Sequence, residues 1–189
     1  VKVDYLIAGQ GLAGSLLAWQ LLERNKRILV VDRDEAVTSS KVAAGLVTPL
    51  TGPGFKITPA FEERLLCAKK FYWEAEESTG DRFFYHRPIA RLFRNKEEST
   101  RWQTIETGEG TPHHPYVAPL PDYPDLLQQN DGGFAMKGGG WLDTPRFLEA
   151  TRQHLLERAS YAIGRVDGNE IDSAVGGIRW RNIEASRVI

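Results

Sequence analysis

Three glycines place the first constraint on this chain. Gly9, Gly11 and Gly14 stand in the spacing G-x-G-x-x-G inside "YLIAGQGLAGSLLAWQLLERNKRILVVDRD". That spacing occurs by chance in many loops, so its surroundings must decide what it means. Tyr5 to Ala8 is a short apolar run of β type. Ser15 to Arg24 carries helix formers with Leu16, Leu17, Trp19, Leu21 and Leu22, and a second apolar run from Ile28 to Val31 ends in Asp32. The order is strand, glycine turn, helix, strand, which is the context the motif requires.

Each part has a physical task. Gly9 permits the tight turn, Gly11 lets main chain come close to a pyrophosphate, and Gly14 lets the helix pack against the strand. The helix start offers N–H groups and a positive dipole end to phosphate. Asp32 ends the second strand, where a carboxylate accepts hydrogen bonds from adenosine ribose hydroxyls and repels a 2'-phosphate. The bland alternative is a βαβ unit whose glycines ease packing and whose Asp32 is solvated. Motif, element order and acidic position together favour an adenine dinucleotide, and leave open whether it is NAD or FAD.

Composition removes several classes. Lys and Arg number 24 against 25 Asp and Glu, so the net charge of -1 gives no general attraction to nucleic acid or anionic membrane. The single cysteine, Cys67, excludes an intramolecular disulfide and a C-x-x-C pair, which fits a reducing compartment and a cytoplasmic location. There is no apolar run long enough for a membrane span. His86, His113, His114 and His154 lack helical ligand spacing, so no metal site is expected.

After Asp32 the chain turns polar and then small and apolar, "KVAAGLVTPLTGPG", where a nicotinamide-dependent dehydrogenase would continue into another crossover helix. A helix is expected over 58–80, with Thr58 as cap, Pro59 at its first position, Gly80 at its end, and Phe61, Leu65, Ala68, Tyr72 and Ala75 on one buried face. Cys67 adjoins that face and reads as a core or boundary residue. From Phe83 to Gly140 aromatics, prolines and glycines punctuate short extended segments, which predicts an antiparallel sheet with long loops. Asn95 to Thr111 reads as a solvated connection. A helix then follows Asp143 or Thr144, with Leu148, Thr151, Leu155 and Ala159 along one side, and "YAIGRVDGNEIDSAVGGIRWRNIEASRVI" reads as a β-meander.

Taken together, "LIAGQGLAG", "VVDRD", "TSSKVAAGLVTPLTG", the helix after Thr58, "GGGWLDTPRFLEATRQHL" and "ASRVI" resemble the FAD-dependent oxidoreductase superfamily typified by D-amino-acid oxidase and glycine oxidase. The resemblance implies an α/β fold: a Rossmann-like FAD-binding domain interrupted by an antiparallel-sheet substrate domain. Its segments are expected over 1–82, 83–140 and 141–189. It implies that Gly9, Gly11, Leu12, Ala13 and Gly14 meet the pyrophosphate, Asp32 the ribose and Arg33 the adenine. Ser39, Ser40, Ala43, Ala44, Gly45 and Leu46 would line the inner phosphate, ribitol and flavin ring, with Val166 against adenine. Where Asp32 stands the family often carries Glu, and the shorter side chain leaves NAD more open. Family members continue well beyond Ile189, which lies in the approach to a further strand, so a partial chain is expected.

The implied activity is oxidation of a C–N bond in a small-molecule amine or amino acid by hydride transfer to flavin. Tyr85, His86, Arg87 and Arg91 on "FFYHRPIARLF" are candidates to approach substrate, or else form a solvated strand. The alternatives are an NAD(P)-linked dehydrogenase and a flavin- or nucleotide-binding module without turnover.

Overall fold

Alternation of apolar residues builds the central sheet. Leu6 and Ile7 on the first strand and Val30 and Val31 on the second are all buried, neighbours pointing to opposite faces, as expected of strands covered on both sides. In the computed structural model, which describes residues 1–107, 115–121 and 131–189, the chain runs β1 (Lys2–Ala8), α1 (Leu12–Glu23), β2 (Ile28–Asp32), β3 (Leu46–Val47), β4 (Leu50–Thr51), β5 (Lys56–Ile57) and α2 (Phe61–Thr79). It continues through β6 (Phe84–His86), β7 (Ile89–Leu92), α3 (Lys96–Thr107), β8 (Val117–Pro119), β9 (Gly133–Met136), β10 (Gly140–Leu142) and α4 (Thr144–Glu157). Then come β11 (Tyr161–Ile163), a short 3-10 turn, β12 (Ile171–Ala174), β13 (Gly177–Trp180) and β14 (Ile183–Val188).

The chain divides into two compact units. The first comprises 1–44, 74–83 and 143–189, and its sheet has the order β11-β2-β1-β14-β13-β12. β11, β2, β1 and β14 are parallel, and β13 and β12 close the sheet as an antiparallel hairpin. Ile7, Ala18, Leu21, Ile28, Val30, Leu155 and Tyr161 form the core on one face, under α1 and α4. Val3, Leu6, Val31, Trp180, Ile183 and Ala185 form it on the other. Trp19 of α1 stacks on His154 of α4 with ring centres 4.1 Å apart, and its Nε1 donates to Thr151 Oγ1. Burial and the neighbouring Arg158 hold the His154 pKa below its ordinary value.

The second unit comprises 45–73 and 84–142, and so begins earlier than residue 83 because β3 pairs with β10. It contains two antiparallel three-stranded sheets, β3-β10-β6 and β7-β9-β8, and the β4-β5 hairpin. Its core gathers Leu50, Phe55, Trp102, Phe134 and Met136.

Several expectations need correcting. α1 starts at Leu12 rather than Ser15, capped by the backbone of Gly11. α2 starts at Phe61, because Thr58 is used elsewhere: its N–H bonds the Pro49 carbonyl and its hydroxyl the Thr48 carbonyl. The buried face includes Phe61, Leu65, Tyr72 and Ala75, and Gly80 follows with φ +73°, but Cys67 is exposed. Ala159 lies beyond the end of α4 and is exposed.

Asn95 to Thr107 is no solvated connection. Asn95 Oδ1 accepts the Glu98 N–H at the start of α3, and Glu98 and Trp102 are buried. Residues 108–111 of that expectation lie outside the described residues, as do His113 and His114. In the C-terminal region β11 pairs parallel to β2, so the meander is confined to β12, β13 and β14. β14 is a strand of that meander and also pairs parallel with β1.

Candidate functional site

The glycine turn sits between β1 and α1, and its three glycines have different constraints. Gly9 has φ +103°, a conformation in which a side chain is strained. A Cβ on Gly14 would meet the Gly9 carbonyl oxygen at 2.0 Å, so hydrogen there is a packing necessity. A Cβ on Gly11 would meet only Ser40 Oγ, at 3.1 Å. Gly11 caps α1 and has no side chain of its own to place over the helix start. The Leu12 N–H donates to Ser40 Oγ at 3.0 Å, which brings that hydroxyl to the same place.

Asp32 ends β2 beside this turn. Its Oδ2 accepts the Gln10 N–H at 2.7 Å and its Oδ1 accepts the Asp34 N–H at 2.8 Å. Each oxygen therefore spends one lone pair on backbone and retains another. Ala8, Gly9, Asp32, Arg33, Gly164 and Val166 line a cleft of about 260 Å³. Val166 is half-buried, and the exposed Arg33 is paired with Glu35.

Sequence reasoning missed Gln10, although a long polar side chain between two fingerprint glycines was a usable signal. It is buried, and its Nε2 donates to Ser15 Oγ at 3.1 Å and to the Leu148 carbonyl at 2.7 Å. The turn is thus tied to α1, α4 and β2 at once.

The remaining expected contacts follow in the chain. Ala13, Ser39, Ala43 and Ala44 are exposed, and Ser40 is half-buried. In the second unit, Gly45 has φ +66° and its carbonyl accepts the Leu142 N–H, while Leu46 on β3 faces Trp141 in register and is exposed.

Tyr85, on β6, stacks on Trp141 with ring centres 5.2 Å apart, and His86 and Arg87 beside it are exposed. Arg91 does not join them. Its guanidinium bonds Glu98 Oε1 and the Gly52 carbonyl, both at 2.9 Å, and lies over the Phe55 ring. A largely apolar cleft of about 350 Å³ in this unit is lined by Leu46, Thr48, Thr58, Phe61, Arg64 and Leu65, among others.

The family model described as FAD dependent oxidoreductase (DAO) matches residues 4–184. The chain belongs to that family. The family binds FAD. Among solved structures, glycine oxidase from Geobacillus kaustophilus is similar with a TM-score of 0.69 and 18% identity, over 99% of this chain and 54% of that one. Glycine oxidase from Bacillus cereus gives 0.63 and 20%, over 98% and 55%. L-Amino acid deaminase from Proteus myxofaciens gives 0.65 and 17%, over 99% and 44%. The chain therefore shares the fold of the matched part of these proteins and spans about half of their length. Among the described residues no helix is long and apolar enough to cross a membrane, and no three His, Cys, Asp or Glu side chains gather as metal ligands.

Proposed function

We propose that the first unit holds the ADP half of FAD, and that the intact protein oxidises a C–N bond of an amino acid. One observation carries the reading: the glycine-capped start of α1, with the Ser40 hydroxyl on its first N–H, lies beside a carboxylate whose two oxygens each keep a lone pair. The residues fit the group. Of the residues proposed to meet the diphosphate, Gly9, Gly11, Leu12, Ala13 and Gly14, the Gly9 N–H is held by the Val31 carbonyl and the Leu12 N–H by Ser40 Oγ, so Gly11, Ala13 and Gly14 are the proposed main-chain donors and the Ser40 hydroxyl stands beside them. Ribose hydroxyls need acceptors, which Asp32 provides. Arg33 and Val166, in the cleft next to Asp32, are the walls proposed for adenine.

Ser39, Ala43, Ala44, Gly45 and Leu46 are proposed for the ribitol and flavin ring, since small residues let main chain approach a flat ring. When bound, FAD would supply the two-electron oxidant: the substrate would lose a hydride from the carbon next to nitrogen and a proton from the nitrogen, and water would hydrolyse the resulting imine. The protein's share is to bind, orient and exclude water. An amino acid, rather than a simple amine, suits a cleft with apolar walls and the Arg64 cation, which can take a carboxylate. Tyr85, His86 and Arg87 remain a second proposed substrate group. Arg91 leaves it, because Glu98, Gly52 and Phe55 already engage its guanidinium.

The test is spectroscopic. The wild-type protein should release FAD on denaturation, and its flavin absorbance should bleach when amino acids are added without oxygen. Gly11→Val puts a branched side chain where diphosphate must come, and should abolish FAD binding while the fold survives. Unchanged affinity in that variant would contradict the assignment. Flavin that stays oxidised across an amino-acid panel would favour a binding module without turnover.

A further inference from the structure

On α4, Arg152 carries an arrangement that fold stability does not explain. Its side chain is only 17% exposed, and its Nη2 lies 2.6 Å from Asp34 Oδ1. Its Nε is buried with no hydrogen-bond partner among the described residues, the Glu149 carboxylate standing 3.9 Å from it, and the guanidinium lies over the Tyr161 ring with its carbon 5.6 Å from the ring centre. A half-buried guanidinium with one buried N–H unsatisfied carries a cost, and an apolar side chain of the same shape would serve packing as well or better. Of the two carboxylates it pairs with, Asp34 at 2.6 Å is the close one and Glu149, one turn back on α4, the distant one at 3.9 Å, so what Arg152 chiefly gains is a hold on Asp34.

Asp34 is the residue whose backbone matters. It has φ +55°, the left-handed region that an L-residue other than glycine enters at a cost and that Asp tolerates better than most. In that conformation its N–H meets Asp32 Oδ1 at 2.8 Å. Lys41 approaches the same Asp34 carboxylate at 3.9 Å and also donates to the Glu35 carbonyl, so the segment after β2 is gathered around Asp34 from both sides. Of the two N–H groups that orient the Asp32 carboxylate, Gln10's is secured by the buried turn. The other depends on Asp34 keeping its conformation.

We infer that Arg152 is a positioning residue for the adenosine ribose: through its ion pair with Asp34 it fixes the rotation of the Asp32 carboxylate. The inference rests on the proposed role of Asp32. Ligand makes no contact with Arg152 in this scheme, so its effect must depend on the ribose hydroxyls and on nothing else in the nucleotide.

The experiment is equilibrium binding of ADP and of 2',3'-dideoxy-ADP to the purified protein and to Arg152→Met, Arg152→Lys, Asp34→Asn and Asp32→Asn. Arg152→Met and Asp34→Asn should each weaken ADP by about tenfold, as befits a displaced hydrogen bond to a charged group. Both should leave dideoxy-ADP within twofold, and the double variant should be no worse than either single one. Arg152→Lys, which keeps a cation within reach of Asp34, should recover part of the loss. Equal weakening of both nucleotides would mean that Arg152 serves phosphate or the fold, and would overturn the inference, as would no change with either. Should Arg152→Met fail to fold, Asp34→Asn decides alone by the same two affinities. Asp32→Asn separates the two levels of argument. If it does not reduce the preference for ADP over dideoxy-ADP, the ribose role itself fails; if it does and the other variants do not, only the positioning role fails.

Discussion

Asp32 and Glu98 are both carboxylates held by backbone N–H groups, yet they belong to different kinds of site. Glu98, at the start of α3, is 4% exposed and is closed on every side. Its Oε1 accepts from Arg91, and its Oε2 accepts from the Arg94 N–H and the Arg94 guanidinium. Asp32, at the end of β2, takes only two backbone N–H groups and opens on a cleft. A saturated buried carboxylate organises its own unit. A half-satisfied one at a strand end retains acceptor capacity for a ligand.

The comparison breaks most visibly at Glu98. Glu98→Ala removes both acceptors and leaves Arg91 largely buried without its counter-charge, which should cost about 3 kcal/mol of folding stability in chemical denaturation. FAD affinity of the folded protein should stay within twofold. The pH dependence gives a second view. Burial pushes the Glu98 pKa up, but the Arg94 N–H and the Arg91 and Arg94 guanidiniums outweigh it and hold the value below the ordinary 4.5. A depressed folded pKa means a contribution fully present above about 4.5 and lost as pH falls through the lower folded value. Glu98→Gln should therefore flatten the acid limb of the stability profile. An unchanged limb would remove Glu98 from the account.

Asp32→Asn should show the opposite balance. An amide offers one acceptor where the carboxylate offered two, so one backbone N–H loses its partner and stability should fall by about 1 kcal/mol. FAD affinity should fall about tenfold. If stability fell as far as in Glu98→Ala with no change in affinity, the distinction between the two carboxylates would disappear.

These two sites also differ in how far they can be read from sequence. The glycine turn and Asp32 are legible because their geometry is local: a fixed glycine spacing, a strand before it and a strand after it. α3 was misread because its buried face begins with a charged residue. Glu98 and Trp102 lie one turn apart, but the glutamate looks like a solvated position until Arg91 and Arg94 are known to cover it. Gln10 to Leu148 and Arg152 to Asp34 are long-range pairs that no local pattern announces. Sequence thus revealed the groups proposed to meet the ligand, while those that orient them required the fold.

The smallest expected effect comes from a third carboxylate, and it tests whether burial or bonding separates the first two. Asp4 on β1 accepts the Arg27 N–H at 2.8 Å and pairs with its guanidinium at 2.9 Å, so in bonding it resembles Glu98. The Arg27 side-chain and backbone hydrogen bonds lower its pKa to about 2. Its contribution should be present above 3.8 and lost as pH falls through about 2. Arg27 is exposed, however, and solvent screens the pair. Asp4→Asn should therefore destabilise the protein less than either other substitution, and the difference should shrink further in high salt, although a carboxyl titration followed by NMR would still find Asp4 among the most acidic groups. A loss as large as that of Glu98→Ala would mean that the number of hydrogen bonds, rather than exclusion of water, sets what a carboxylate contributes here. The contrast between Glu98 and Asp32 would then need another cause.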